Sequence, residues 1–330
     1  MKQKHSLKRL TIATTFLLTS ILPIQSAFAV EASHLEHPHS AGTFMFETAY
    51  MRMNMSGLRA ETSDVSTIEA VSDFNHMMVP TDMTMDMLML MPMYNFTKDL
   101  STMLMVNYLS NSMDMTDSSG TCTSTMENSG LSDTKVSLNY KFMDDLLAAS
   151  MELSIPTGSI DEKITMKMMT GGDCVTHNMT APYPMQFGSG TYDVTPTLTY
   201  LGAYYSLRYG AQSSYKFRTG ENDNGYTLGD EASAKLWVRK PISILTLSGE
   251  IDFTRWGSIQ GADKHASTAS TPLVKSSNSG GSLAKITIGA EVPVSAISLG
   301  LDLSWPIYQD LNGLQMKHTM SAAVTVAAMF

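Results

Sequence analysis

The chain has 330 residues, a formal net charge of −9, 43% hydrophobic residues and only 16% charged ones. That length suits one large domain, and the acidic balance argues against nucleic acid as a partner and gives no clamp for anionic lipid. Two further counts shape the reading: 28 Met and two Cys.

The chain opens on a basic stretch, Lys2, Lys4, His5, Lys8 and Arg9, followed by an apolar run over 11–24 and the small-residue site Ala27-Phe28-Ala29. This predicts a secretory signal peptide over 1–29. The apolar run is short of the roughly 20 residues that a transmembrane helix needs. Residues 30–43 form a short periplasmic segment carrying His34, His37 and His39, which either carry metal or belong to a solvated terminus. Too few residues precede Phe44 for a folded plug, which argues against TonB-dependent transport.

From 44 to 330 the chain reads as alternating segments at 44–54, 83–94, 101–111, 131–141, 146–156, 191–200, 203–217, 226–239, 243–255, 282–292, 295–306 and 316–330. Short links at 95–100, 142–145, 201–202, 240–242 and 293–294 alternate with long polar ones at 55–82, 112–130, 157–190, 256–281 and 307–315, and a medium one at 218–225. Twelve segments with two classes of link predict an all-β fold, a transmembrane antiparallel β-barrel of about 12 strands in the bacterial outer membrane. Short turns would face the periplasm and long loops the outside. A soluble sandwich has no reason to sort its loops this way.

Face alternation agrees. Ile297, Leu299, Leu301, Leu303 and Trp305 alternate with Ser298, Gly300, Asp302 and Ser304. In a barrel the apolar set meets lipid and the polar set the lumen. Tyr50, Tyr108, Tyr140, Tyr200, Trp256 and Trp305 fall near segment ends, as interfacial aromatics do. An alternating last segment ending in Phe330 resembles the signal read by the barrel-assembly machinery of bacterial outer membranes.

Methionine occupies every second position at Met83, Met85, Met87, Met89, Met91 and Met93, and Met51, Met53, Met55, Met103 and Met105 extend the pattern. Period two puts each set on one face of a strand. With Leu88, Leu90, Leu104, Val106 and Tyr108 toward lipid, the methionines form one lumen wall on three neighbouring strands. Thioethers adapt to flat apolar or aromatic molecules and are soft ligands suited to Cu(I); they also simply pack. The candidate cuprous set is Met51, Met53, Met83, Met85 and Met87 with His76, while Met51, Met53, Met55, Met83, Met85, Met87, Met89, Met91, Met103, Met105, Arg208, Glu250 and Asp252 form the candidate lumen wall for a small solute. Lumen-side charges of both signs, such as Lys135, Glu152, Asp193, Lys235, Lys285 and Asp302, either pair across the interior or line a wet path.

Cys122 and Cys174 each lie in a polar loop, and export permits a disulfide between them. Two free thiols or a thiolate metal site are the alternatives. His76, His177, His265 and His318 fall in separate segments with no nucleophile–base spacing, and no Walker A or zinc-spaced set occurs, so catalysis is not expected.

The stretches 50–57, 78–87, 130–133 (Gly-Leu-Ser-Asp), 153–161 (Leu-Ser-Ile-Pro-Thr-Gly-Ser-Ile-Asp) and 182–193 (Pro-Tyr-Pro-Met-Gln-Phe-Gly-Ser-Gly-Thr-Tyr-Asp) resemble a family of bacterial outer-membrane transporters related to proteins of the MetA pathway of phenol degradation. The resemblance covers most of the chain after residue 29. It implies an outer-membrane barrel and solute passage, and it brings no catalytic residues. The expected function is therefore an outer-membrane channel passing a small apolar, aromatic or soft solute. A copper(I)-binding outer-membrane protein and a barrel without transport are the alternatives. Within the long loop 157–190, an inward-folded constriction and an exposed flap are both open.

Overall fold

The computed structural model describes residues 40–72, 77–266 and 271–330. The signal segment, His34, His37, His39 and His76 lie outside the described residues.

The strands are β1 (Phe44–Glu61), β2 (Ser63–Val65), β3 (Val79–Asn95), β4 (Leu100–Thr116), β5 (Thr123–Leu131), β6 (Thr134–Phe142), β7 (Leu147–Ile155), β8 (Lys163–Thr170) and β9 (Asp173–Thr180). They continue as β10 (Asp193–Tyr204), β11 (Leu207–Arg218), β12 (Tyr226–Thr227), β13 (Glu231–Ile242), β14 (Leu245–Trp256), β15 (Gln260–Gly261), β16 (Gly281–Val294) and β17 (Ile297–Met329). One six-residue helix, α1 (Thr67–Ser72), sits between β2 and β3.

Eleven of these strands close a ring in the order β17, β16, β14, β13, β11, β10, β7, β6, β4, β3, β1 and back to β17. Every neighbouring pair is antiparallel. An odd number of straight strands cannot close with all pairs antiparallel, because the last pair would come out parallel. The solution is β17, whose 33 residues would span about 110 Å if straight. Its residues 297–311 pair with β16 and 311–329 with β1. The chain reverses at Asn312-Gly313, where Gly313 has φ 61°. Asn-Gly flanked by apolar residues is a favoured two-residue hairpin turn. The wall therefore has twelve passes. The long outer link expected at 307–315 is this tight turn instead.

The short turns gather at the end where β1 begins and β17 ends, with Phe44 N–H donating to Phe330 O at 3.2 Å and Phe330 N–H to Phe44 O at 2.8 Å. Met143, Asp144, Asp145, Tyr205, Ser243 and Ser295 adopt positive φ there, as reversals this tight require. The turn expected at 201–202 lies inside β10; Tyr205 makes it four residues later.

At the other end, much of what the sequence suggests as loop is further strand. β1 runs to Glu61, and β5 extends the sheet along the upper half of β4, pairing 123–131 with 116–108. β8 and β9 form a separate hairpin. β5 and β6 are one strand interrupted at Ser132–Asp133. Leu131 faces Tyr108 and Lys135 faces Met105, so one extra residue is inserted there, a β-bulge.

Cys122 and Cys174 are disulfide-bonded with Cα atoms 5.5 Å apart, joining the tip of the β4–β5 hairpin to β9. Asp117 shapes that tip by accepting from Ser119 Oγ at 2.7 Å and Cys122 N–H at 3.2 Å, and these bonds hold its carboxyl below the usual range. The bridge spans 52 residues of chain, which corresponds to about 4 kcal/mol of loop-closure entropy. Replacing both cysteines by serine should expose 117–125 and 163–180 to protease while the heat-modifiable barrel band on a gel is retained.

Leu90, Leu104, Leu138, Leu153, Leu198, Leu236, Ile251, Ile288, Leu301 and Val326 are exposed on the outer face. They alternate with buried or half-buried residues along each strand, which is the arrangement of a barrel in lipid. Asp86 also faces outward, where Arg52 Nε and Nη2 donate to its carboxylate at 2.7 and 2.8 Å and Tyr50 Oη at 2.6 Å. That neutralises a charge otherwise costly on this face.

Candidate functional site

The interior has two unlike halves. On β3 every inward position from Met83 to Met93 is methionine, and methionine recurs on β1 and β4 among Glu47, Ala49, Asn107, Leu109 and Asn111, because the strand period carries the odd-numbered residues inward while Leu88 and Leu90 face out. Register sets Met51 opposite Met87, Met53 opposite Met85 and Met55 opposite Met83. Met83 in turn opposes Met113, and Met93 opposes both Met45 and Met103. Rows of thioethers thus cross adjacent strands at the periplasmic end and at the outer end, while between them Met89 faces Ala49 and Asn107, and Met85 faces Asn111 on β4. Met51, Met55, Met83, Met85, Met87, Met89, Met91, Met103 and Met105 are all at most 8% exposed, and Met53 is half-buried. These side chains pack against one another and leave almost no surface open to water.

The opposite half is charged and internally paired. Lys235 Nζ reaches Glu250 at 2.9 Å and Asp252 at 3.6 Å, and Lys135 lies 4.0 Å from Glu152. Arg218 pairs with Asp193, which also accepts from Thr191 Oγ1 at 2.7 Å. Glu250 and Asp252 are therefore tied to Lys235 in the wall. Arg208, at the β10–β11 turn, is exposed at the periplasmic rim opposite Arg239 and lies outside the packed interior.

The Arg218–Asp193 pair is buried on both sides. Removing one partner of such a pair leaves an uncompensated charge at a cost of about 3–5 kcal/mol. Arg218→Met should lower the urea midpoint for unfolding from detergent micelles by a corresponding margin, more than Lys235→Met, whose partners are less buried.

The loop 157–190 folds over the mouth. Its hairpin β8–β9 packs on β5, where Lys167 N–H donates to Ser124 Oγ at 2.9 Å. Its return, 182–190, is buried: Met185, Phe187 and Ser189 have 1% exposure or less. The segment is held by Asn128 Nδ2 donating to Met185 O at 2.7 Å and by Asp133, at the bulge. Asp133 accepts from Gly158 N–H at 3.0 Å, Ser189 N–H at 2.8 Å and Ser189 Oγ at 2.9 Å. Phe187 lies against Gly130, and Gly188 against Gly158 so closely that a Cβ on either glycine of that pair would enter the other's backbone. The stretches 130–133, 153–161 and 182–193 that stand out in the sequence thus meet at one junction.

Beneath the return lies a cavity of about 40 Å³, space for about three water-sized molecules. Met55, Met83, Met113 and Met316 line it from the wall, His318 and Trp256, at the end of β14, stand beside them, and Tyr183 and Leu273 close it from the loops. Tyr183 Oη accepts from Asp263 N–H at 2.9 Å, and its ring stacks edge-on against Tyr226 with centroids 5.0 Å apart. Burial pushes its phenol pKa up, so it remains neutral. Met113, Met316 and His318 are absent from the site expected from sequence. A second methionine register on β4, from Met103 to Met115, is the sequence signal that points to Met113.

No family model matches the sequence, and no curated protein matches it. Among solved structures, the chain is similar to the COG4313 outer membrane channel from Pseudomonas putida F1, with a TM-score of 0.57 and 14% identity over 88% of this chain and 97% of that one. The fold is that of an outer-membrane β-barrel. The chain is also similar to the CymD monoaromatic hydrocarbon channel, with a TM-score of 0.50 and 6% identity over 92% of this chain and 94% of that one. At these identities the likeness establishes the architecture, and the chemistry of the interior has to come from this chain's own residues.

Proposed function

We propose that the protein is a passive outer-membrane channel for small apolar and aromatic solutes, which move along the methionine face of the barrel. The observation that carries this reading is the row of buried methionines down β3, from Met83 under the mouth to Met93 near the periplasmic end, flanked by Met51 and Met55 on β1 and by Met103, Met105 and Met113 on β4. A water-filled pore would expose those side chains, whereas here they fill their half of the interior. An apolar molecule of a few heavy atoms can displace such side chains at low cost, because methionine has three rotatable bonds and no hydrogen bond to break. A hydrated solute would be stripped of water against the same surface and gain nothing in return. The small cavity behind Tyr183 and Trp256 serves as the point of capture. The similarity to a channel described as passing monoaromatic hydrocarbons supports the same solute class.

In this reading the paired charges of the opposite half brace the barrel, and Phe330, at the closing seam, is the residue presented to the assembly machinery. Uptake into proteoliposomes tests the reading. Toluene or phenol should equilibrate faster than in protein-free liposomes, and a polar solute of equal size, such as glycerol, should not. Equal acceleration of both would mean a general aqueous pore and would sink the proposal.

A further inference from the structure

The outer end of the methionine wall holds a second chemistry. Met55, Met83 and Met113 are successive register partners on β1, β3 and β4, and His318 on β17 is the register partner of Met55. In the regular pairs Met55–Met83 and Met83–Met113 the side chains start about 4.5–5.5 Å apart at Cβ, while the Met55–His318 pair sits between two register shifts of the β1–β17 ladder. All four residues, with Met316, line the same cavity. Gln309 fixes His318 through the backbone, donating from Nε2 to His318 O at 2.8 Å and accepting from its N–H at 2.9 Å. Both bonds leave the imidazole ring free to serve the cavity. No carboxylate is among the lining residues, and the one lysine there, Lys275, is exposed at the rim.

Hard divalent cations want carboxylate and carbonyl oxygen. Thioethers with one imidazole are instead a soft donor set, which selects Cu(I). We propose that His318, Met55, Met83, Met113 and Met316 form a binding site for cuprous ion at the outer mouth. The ion is bound as Cu(I) and no electron transfer is involved. The site keeps only Met83 of the cuprous set suggested by the sequence. Met51, Met53, Met85 and Met87 lie deeper along the wall. The neutral, weakly donating ligands also suit exchange better than permanent storage.

This inference goes beyond solute passage and does not depend on it. The test uses the full barrel with His34, His37, His39, His76, His177 and His265 changed to Gln, which removes the competing imidazoles after residue 29. Ag(I), a redox-inert soft ion, and Cu(I) under ascorbate are each titrated against a chromophoric chelator. The expected result is one equivalent bound, with affinity falling at least 100-fold in His318→Leu/Met83→Leu and unchanged in Met51→Leu/Met85→Leu/Met87→Leu. No saturable equivalent, or loss in the deep-wall variant with retention in the His318 variant, overturns the site. X-ray absorption on the Cu(I)-loaded protein with His318 and all its methionines intact avoids any folding defect of cavity variants. It should show sulfur and imidazole scatterers together, and a sulfur-only shell would contradict the assignment. Neither outcome bears on toluene flux, so the two proposals fail separately.

Discussion

Joint replacement of Met87, Met89 and Met105 by isoleucine is expected to slow toluene uptake at least ten-fold while the barrel still forms. All three are buried in the middle of the thioether wall. Isoleucine nearly conserves volume, and such swaps usually cost less than about 1.5 kcal/mol each; β-branched residues also suit strands. What changes is compliance. Isoleucine is held at χ1 and has one fewer torsion with which to move aside. A ten-fold loss corresponds to about 1.4 kcal/mol of added barrier, a small increment for three stiffened contacts. The paired leucine variant, unbranched at Cβ, should fall between the two. Stopped-flow uptake in proteoliposomes, normalised to folded protein on a heat-modifiability gel, measures the series.

The largest structural effect is expected at the junction where the loop 157–190 returns to the wall. Asp133→Ala removes the acceptor of three hydrogen bonds, two from backbone N–H groups. Each orphaned buried donor costs about 1–3 kcal/mol. The return 182–190 is held by this carboxylate together with Asn128, Asn222 and the Ser159 carbonyl, so losing the carboxylate should loosen it around Ser189. Single-channel recordings should then show a conductance well above that of the unaltered protein, and protease should cut near 187. Asp133→Asn keeps one accepting oxygen and should give a partial effect. Gly188→Ala should act in the same direction, since its Cβ would lie 2.8 Å from Asp133 Oδ1 and closer still to the Gly158 carbonyl. If Asp133→Ala conducts as before, the return segment is not what closes the mouth.

The barrel was legible because lipid imposes a simple rule on the mid-membrane part of each strand. Leu88 and Leu90 must face out, so Met87 and Met89 face in. Beyond the lipid that rule lapses. The β4–β5 hairpin reads as loop because its outward positions Ser112, Asp114, Thr125 and Glu127 are polar where lipid would demand apolar residues, although Met113, Met115 and Met126 alternate with them. The hairpin β8–β9 escapes for the same reason. The turn at Asn312-Gly313 did carry its own signal, hidden because Ile307 to Gln315 is polar enough to pass for a loop. His318 could not be placed from sequence. Its neighbourhood with Met55 exists only once the last strand closes on the first, across more than 260 residues. The junction around Asp133 is visible as unusual sequence, but its meaning depends on three segments meeting.

One measurement tests the path itself. With Cys122 and Cys174 bridged, Met87→Cys places a single free thiol on the methionine wall. Reaction with benzyl methanethiosulfonate would fill the space beside it with a fixed aromatic group. The account predicts that toluene uptake falls to the protein-free rate after complete modification and recovers on reduction with a mild thiol that spares the loop disulfide. Unchanged uptake with the thiol fully modified would show that solute does not travel along the methionine face.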